Sequence, residues 1–228
     1  MSANKSSVSS TKANIIYNMA YQILIMLLPF ITAPYISRVF GTDGIGKYTY
    51  TYSIANYFVL FSMMGLTNYG NRSIARTRDD KCLLNKTFSE IYTMQLGFSA
   101  IALIIYWCMI PFFDEGYRAL LMIQSLYIVS AIFDISWFYY GIEKFKMMVM
   151  RNGIIKIITT ISTFIFVRNL EDIWKYAFII CLGFVGSNLY LFILVHRYAK
   201  FEIPNVKNVL RHVKPNLILF IPDRKSVV

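Results

Sequence analysis

Six long apolar runs divide the chain, at roughly 14–36, 45–65, 88–113, 117–141, 147–167 and 173–196, and a seventh begins near Val209. A helix needs about 20 mainly apolar residues to cross a hydrocarbon core of about 30 Å, so the pattern predicts an all-α integral membrane protein with six transmembrane helices and the start of a seventh. The first run is too long for a cleaved leader, contains Asn18, Gln22, Pro29 and Pro34, and lacks a small-x-small end. It is expected to stay as a spanning helix. The first dozen residues, MSANKSSVSSTK, are polar and Ser-rich and read as a disordered tail. Two connections have room for short amphipathic interfacial helices: the segment after the second run, with RSIARTRDDKCLLNKTFSEI suited to the cytoplasmic surface, and the stretch after the sixth.

Polar residues inside the runs fall at helical spacing. Asn14, Asn18 and Gln22 lie four apart on one face of the first run, with Arg38 near its far end. In the fourth run Gln124, Tyr127, Ser130, Asp134, Trp137 and Gly141 recur at three and four, and in the fifth Asn152, Lys156, Thr159 and Thr163 do the same. Counted from the nearer ends, Asp134 is about 7 and Lys156 about 9 residues deep, which at 1.5 Å per residue is roughly 10 to 14 Å into the membrane. A charge at that depth costs at least about 2.5 to 3.5 kcal/mol on insertion scales, so it faces a protein interior or a watery path. Two readings stand for the pair: an ion pair that fixes two helices together, or the wall of a polar cavity. For the stripe on the first run the simpler reading is interhelical hydrogen bonding. Taken together, the three stripes favour a cavity.

Composition agrees with the pattern. The chain is 57% hydrophobic and only 15% charged, against about 25% charge in an ordinary soluble domain. The net charge of +11 raises the question of nucleic acid, and its distribution answers it. Fifteen basic residues fall on one side of the predicted topology: Lys5, Lys12, Arg72, Arg76, Arg78, Lys81, Lys86, Lys144, Lys146, Arg151, Arg197, Lys200, Lys207, Arg211 and Lys214. The other side has Arg38, Lys47, Arg118, Arg168 and Lys175, beside the acidic pairs Asp114-Glu115 and Glu171-Asp172. The asymmetry places the N-terminus in the cytoplasm and the basic loops against anionic lipid, with no nucleic-acid partner.

Candidate chemistry is sparse. Cys82, Cys108 and Cys181 are scattered, with no CxxC pair, and read as packing residues. His196 and His212 sit at cytoplasmic helix ends, read as interfacial residues and are assigned to no chemistry. There is no phosphate loop, HExxH or serine elbow, and GTDGIG follows an apolar run rather than a strand, so it reads as a turn. Much of the aromatic content, YTYTY at 48–52 for example, suits an interfacial belt. Trp137, Tyr139 and Tyr140 stand beside Asp134 and are candidates for stacking on a sugar ring.

Four stretches carry a resemblance: FITAPYISRVFGTDGIGKYTYTYSIANYF, GLTNYGNRSIAR, FDISWFYYGIEKFKMMVMRNGIIKI and VKPNLILFIP. They resemble the Wzx-type polysaccharide flippases, the O-antigen and capsule repeat-unit transporters within the superfamily of multidrug, oligosaccharidyl-lipid and polysaccharide exporters. The likeness runs from about 13 to 222 and is most specific at Asp134, Trp137, Gly141, Glu143 and Phe145, followed by Arg151, Asn152 and Lys156. It implies a bacterial cytoplasmic-membrane protein, not an enzyme and without a cofactor, that flips an undecaprenyl-diphosphate-linked oligosaccharide by alternating access between two six-helix lobes of a 12–14 helix transporter. It further implies that Arg38, Arg151 and Lys156 attract the anion while Asp134 holds Lys156 when the cavity is empty. Asn18, Gln22, Asn152 and Trp137 complete the expected path. Proton or sodium coupling at Asp134, and a polysaccharide polymerase and chain-length regulator as partners, belong to the same implication. Relatives of this kind are longer, and DRKSVV departs from their pattern. The expected organisation is a tail at 1–12, a six-helix lobe at 13–200, a linker and the start of a seventh helix at 201–222, and a non-native end at 223–228. A drug or metabolite exporter with a largely apolar cavity lacking Arg38 and Lys156 is the alternative transporter, and a membrane enzyme of glycan assembly is the alternative of another class.

Overall fold

The structure, a computed structural model, describes residues 3–220, with side chains over 26–218. Among the described residues there is no strand. The helices are α1 (Ala3–Met63), α2 (Leu66–Thr77), α3 (Lys81–Met109), α4 (Glu115–Ile132), α5 (Ser136–Gly141), α6 (Phe145–Phe166), α7 (Ile173–Leu194) and α8 (Val206–Phe220). Four helical stretches are long and apolar enough to cross a membrane on their own: Lys81–Phe112, Glu115–Gly141, Phe145–Phe166 and Leu170–Arg197. They coincide with the third to sixth apolar runs, and the protein is an integral membrane protein.

The first two runs both fall in α1, which is not straight. Gly41 interrupts it at φ +60° and ψ −171°, a combination open essentially to glycine alone. Thr32, Ile36 and Tyr48 line one pocket, although 16 residues of straight helix would separate the outer two by about 24 Å. The chain therefore turns a sharp corner at one residue, and the turn expected over GTDGIG contracts to its first glycine.

The fourth run also differs from expectation. A continuous helix over 117–141 is broken at Phe133, Asp134 and Ile135, between α4 and α5. Gln95 of α3 splices the break. Its Nε2 donates to the carbonyls of Ala131 (2.7 Å) and Asp134 (2.9 Å), while its Oε1 accepts from Trp137 Nε1 at 2.8 Å. Terminal carbonyls of a helix lack intrahelical partners and must find others when buried; here one amide serves the end of α4 and the gap itself.

The short helix α2 lies against α5 and α3, with Leu66, Gly70 and Ile74 inward. Two glycines set its distance from α5. A Cβ at Gly70 would fall 2.6 Å from the Trp137 ring, and one at Gly141 would fall 2.6 Å from Ile74. Small residues on both helices let them approach as in close membrane crossings. At this end the core is aromatic, with Phe88, Trp137, Phe138 and Tyr139 fully buried. Helix α8 closes it from one side: His212 and Asn216 are buried, and Asn216 Nδ2 donates to the carbonyl of Met64 at 2.6 Å, in the positive-φ turn between α1 and α2. Helix α4 is central, packed on α1, α3 and α7, whereas α6 touches mainly α7 and leaves Ile158, Ile161, Ile165 and Phe166 exposed.

Candidate functional site: a basic cavity between α6 and α7

Beside the α4–α5 break, α6 and α7 border an open cavity of about 460 Å³. Asp134, Arg151, Asn152 and Lys156 all line it, joined by Thr159 from α6 and Ser187 and Asn188 from α7. Within the cavity wall the two helices meet tightly at one point, because Gly183 admits the Thr159 methyl; a Cβ there would lie 2.4 Å from Thr159 Cγ2.

Arg151 anchors the wall and is 9% exposed. Its Nη1 donates to the Ser187 carbonyl and to Asn188 Oδ1, both at 3.2 Å; its Nε and Nη2 donate to Asn152 Oδ1 at 3.1 and 2.8 Å. Asn188 is held in turn, its Nδ2 donating to the Ser130 carbonyl at 3.0 Å. All four bonds from the guanidinium go to neutral oxygens. Among the described residues it makes no ion pair, and neither does Lys156. Asp134 acts on Arg151 electrostatically across the cavity, but its Oδ1 accepts from the backbone N–H of Ser136 at 3.0 Å, at the start of α5. The acid and two bases leave one positive charge in excess.

This arrangement corrects part of the reading from sequence. Asp134 does not clasp Lys156; the two line one cavity without an ion pair, because the break turns the carboxylate onto the next backbone amide. Trp137 does not line the cavity. It is fully buried, since the same break carries the indole inward to Gln95 and Gly70, and no ring face is left for a sugar. Tyr139 is likewise fully buried, its hydroxyl donating to the Leu191 carbonyl at 2.8 Å. Arg38 is exposed near the Gly41 corner and does not border this cavity. The side chains of Asn18 and Gln22 lie outside the described residues.

Other residues escaped the sequence reading. Ser187 and Asn188 form a polar pair inside the sixth run, and that pair was the signal for a fourth polar face. The second omission is Glu90, whose side chain is completely buried. Its Oε2 accepts from Arg211 Nη2 at 2.9 Å and lies 2.8 Å from His212 Nε2. A carboxylate only accepts, so Nε2 carries the proton, and the Tyr69 hydroxyl, 2.5 Å from Nδ1, completes the chain. His212 is therefore a buried partner of α3 rather than an interfacial residue.

A protein of Shigella dysenteriae named as a candidate O-antigen transporter is 26% identical over 192 residues, 82% of this chain and 48% of that protein. A protein of Escherichia coli K12 with the same name is 27% identical over 199 residues, 86% of this chain and 47% of that protein. The chain thus spans about half the length of these curated relatives. No solved structure matches it with significance. Residues 11–222, which hold every helix that builds the cavity, match the family described as polysaccharide biosynthesis protein, and the chain belongs to that family.

Proposed function

We propose that this chain forms one lobe of a transporter that moves an undecaprenyl-diphosphate-linked oligosaccharide across the bacterial cytoplasmic membrane for surface polysaccharide assembly. The observation that carries the reading is Arg151: a nearly buried guanidinium with only neutral acceptors, facing a cavity that also holds Lys156. A cation so placed is costly unless something compensates it, and an anion arriving in the cavity does so. Arg151 offers a planar donor fork suited to phosphate or carboxylate, Lys156 a mobile point charge about 7.5 Å further along α6, and Ser187, Asn188 and Thr159 hydroxyl and amide groups for a sugar. In this reading the N-terminus is cytoplasmic, following the basic asymmetry of the loops, and the cavity alternates in access by movement against a second lobe, as in transporters with a midplane site between repeats. Asp134 lowers the affinity for the anion enough for release, and it is the group through which proton or sodium coupling would act. A polymerase and a chain-length regulator would receive the flipped unit.

The names of the relatives support transport rather than catalysis. The drug-exporter alternative requires a largely apolar cavity lacking Arg38 and Lys156; Arg38 lies away from this cavity, and Lys156 beside Arg151 in its wall is what disfavours that alternative. The test replaces Arg151 and Lys156 by Gln in the chromosomal gene of the source bacterium and measures surface polysaccharide together with lipid-linked repeat units retained in the inner leaflet. At least a tenfold fall in the polymer with accumulation of the precursor is expected. Normal polymer in the double variant would overturn the reading.

A further inference from the structure

A second cavity adjoins the basic one, and apart from one shared charge its lining is apolar. About 410 Å³ in volume, it is lined by Met147, Met150, Ile154, Gly186 and Tyr190, and it shares Arg151 and Ile155 with the first. Both helices displace it the same way. On α6 it runs from Met147 to Ile155 where the basic cavity runs from Arg151 to Thr159, a shift of about 6 Å toward the Lys144 and Lys146 end. On α7 Gly186 and Tyr190 follow the same direction. Gly186 gives the groove its depth: a Cβ built there would meet nothing within 4 Å, so the missing side chain serves no close helix crossing, unlike that of Gly183.

From this we infer that the groove seats the hydrocarbon chain of a phosphorylated lipid whose anionic head lies at Arg151. Charge complementarity chooses the occupant. The two cavities meet at one guanidinium, so a ligand that fills both needs an anion at the junction, polar substituents on the Lys156 side and an apolar chain on the Met147 side. A free sugar phosphate would leave the groove empty, and an uncharged lipid would leave Arg151 uncompensated. The junction also fixes direction, for the chain exits beside the basic end of α6. The inference rests on the anion-binding reading of the basic cavity and adds a subsite to it.

The test uses the full chain in lipid nanodiscs and compares two soluble probes that differ only in hydrocarbon: inorganic pyrophosphate and farnesyl diphosphate. The ratio of their dissociation constants reads the groove. For the natural chain farnesyl diphosphate is expected to bind at least tenfold tighter, and in Gly186→Leu the ratio should fall to twofold or less. Gly186→Ala, which adds a methyl to open space, should give an intermediate ratio and serves as the folding control. An unchanged ratio in Gly186→Leu would overturn the groove while leaving the basic cavity standing, because the chain would then lie in the surrounding bilayer. Failure of both probes to bind the natural chain would overturn the basic cavity as an anion site and the groove with it.

Discussion

Two ionised groups are withdrawn from solvent at different places in this lobe, and their surroundings are opposite in kind. Glu90, with no exposed side-chain surface, is met by Arg211 and by His212, itself backed by Tyr69. Arg151, nearly as deep, is met by two asparagine oxygens and a backbone carbonyl, with the nearest acid engaged elsewhere. The first charge is compensated from within the chain; the second is left for something from outside. Burial alone therefore does not distinguish a structural charge from a binding charge. The sign and number of the partners do.

Removing Glu90 should produce the largest effect. Glu90→Ala leaves His212 and the head of Arg211 without their acceptor, and breaking a buried pair costs about 3 to 5 kcal/mol. A marked fall in the thermal midpoint of the detergent-solubilised chain is expected, together with faster proteolysis within α8. If the midpoint holds, the cluster is not what fastens α8 and the contrast fails at its closed end. Gly70→Ala tests packing at the same end without touching a charge. Its Cβ would press on the rigid Trp137 ring, and overpacking of this kind costs about 1 to 3 kcal/mol. A midpoint drop smaller than that of Glu90→Ala should appear; a neutral result would mean that α2 slides freely on α5.

Arg151→Gln sharpens the other end. The variant gives up hydrogen bonds to neutral oxygens and also the cost of a buried cation, so the net change in stability should stay within about 1 kcal/mol, while pyrophosphate binding falls at least tenfold. Destabilisation equal to that of Glu90→Ala would make Arg151 a structural residue and erase the distinction. The smallest effect is expected from Arg78→Ala. Arg78 and Glu143 form an ion pair of 2.5 Å between exposed side chains, and such pairs contribute little in water. No resolvable change in the thermal midpoint is expected at either low or high salt.

The sequence disclosed the membrane class and the third to sixth helices because each apolar run has the length that a bilayer selects. It also disclosed four cavity residues, Asp134, Arg151, Asn152 and Lys156, because a charge or amide in such a run needs a reason. The α4–α5 break was hidden, since Phe133-Asp134-Ile135 contains neither Pro nor Gly. Its only trace was an acid two residues before Ser136, the spacing at which a carboxylate caps a backbone amide. Missing the break misplaced Trp137, whose spacing from Asp134 suggests a shared face only while the helix stays continuous. Glu90 stood two residues inside the third run, where it read as the boundary of the span, and its partners are more than 120 residues away. A contact of that range leaves no periodic mark.

The splice at Gln95 has a mechanical consequence. One side chain is bonded to the last turn of α4, to the backbone inside the gap and to the indole of α5 beyond it, so the gap is a riveted elbow rather than a flexing joint. The basic cavity therefore has a fixed edge at Asp134, and its α6 wall is held against α7 by the close approach of Thr159 to Gly183.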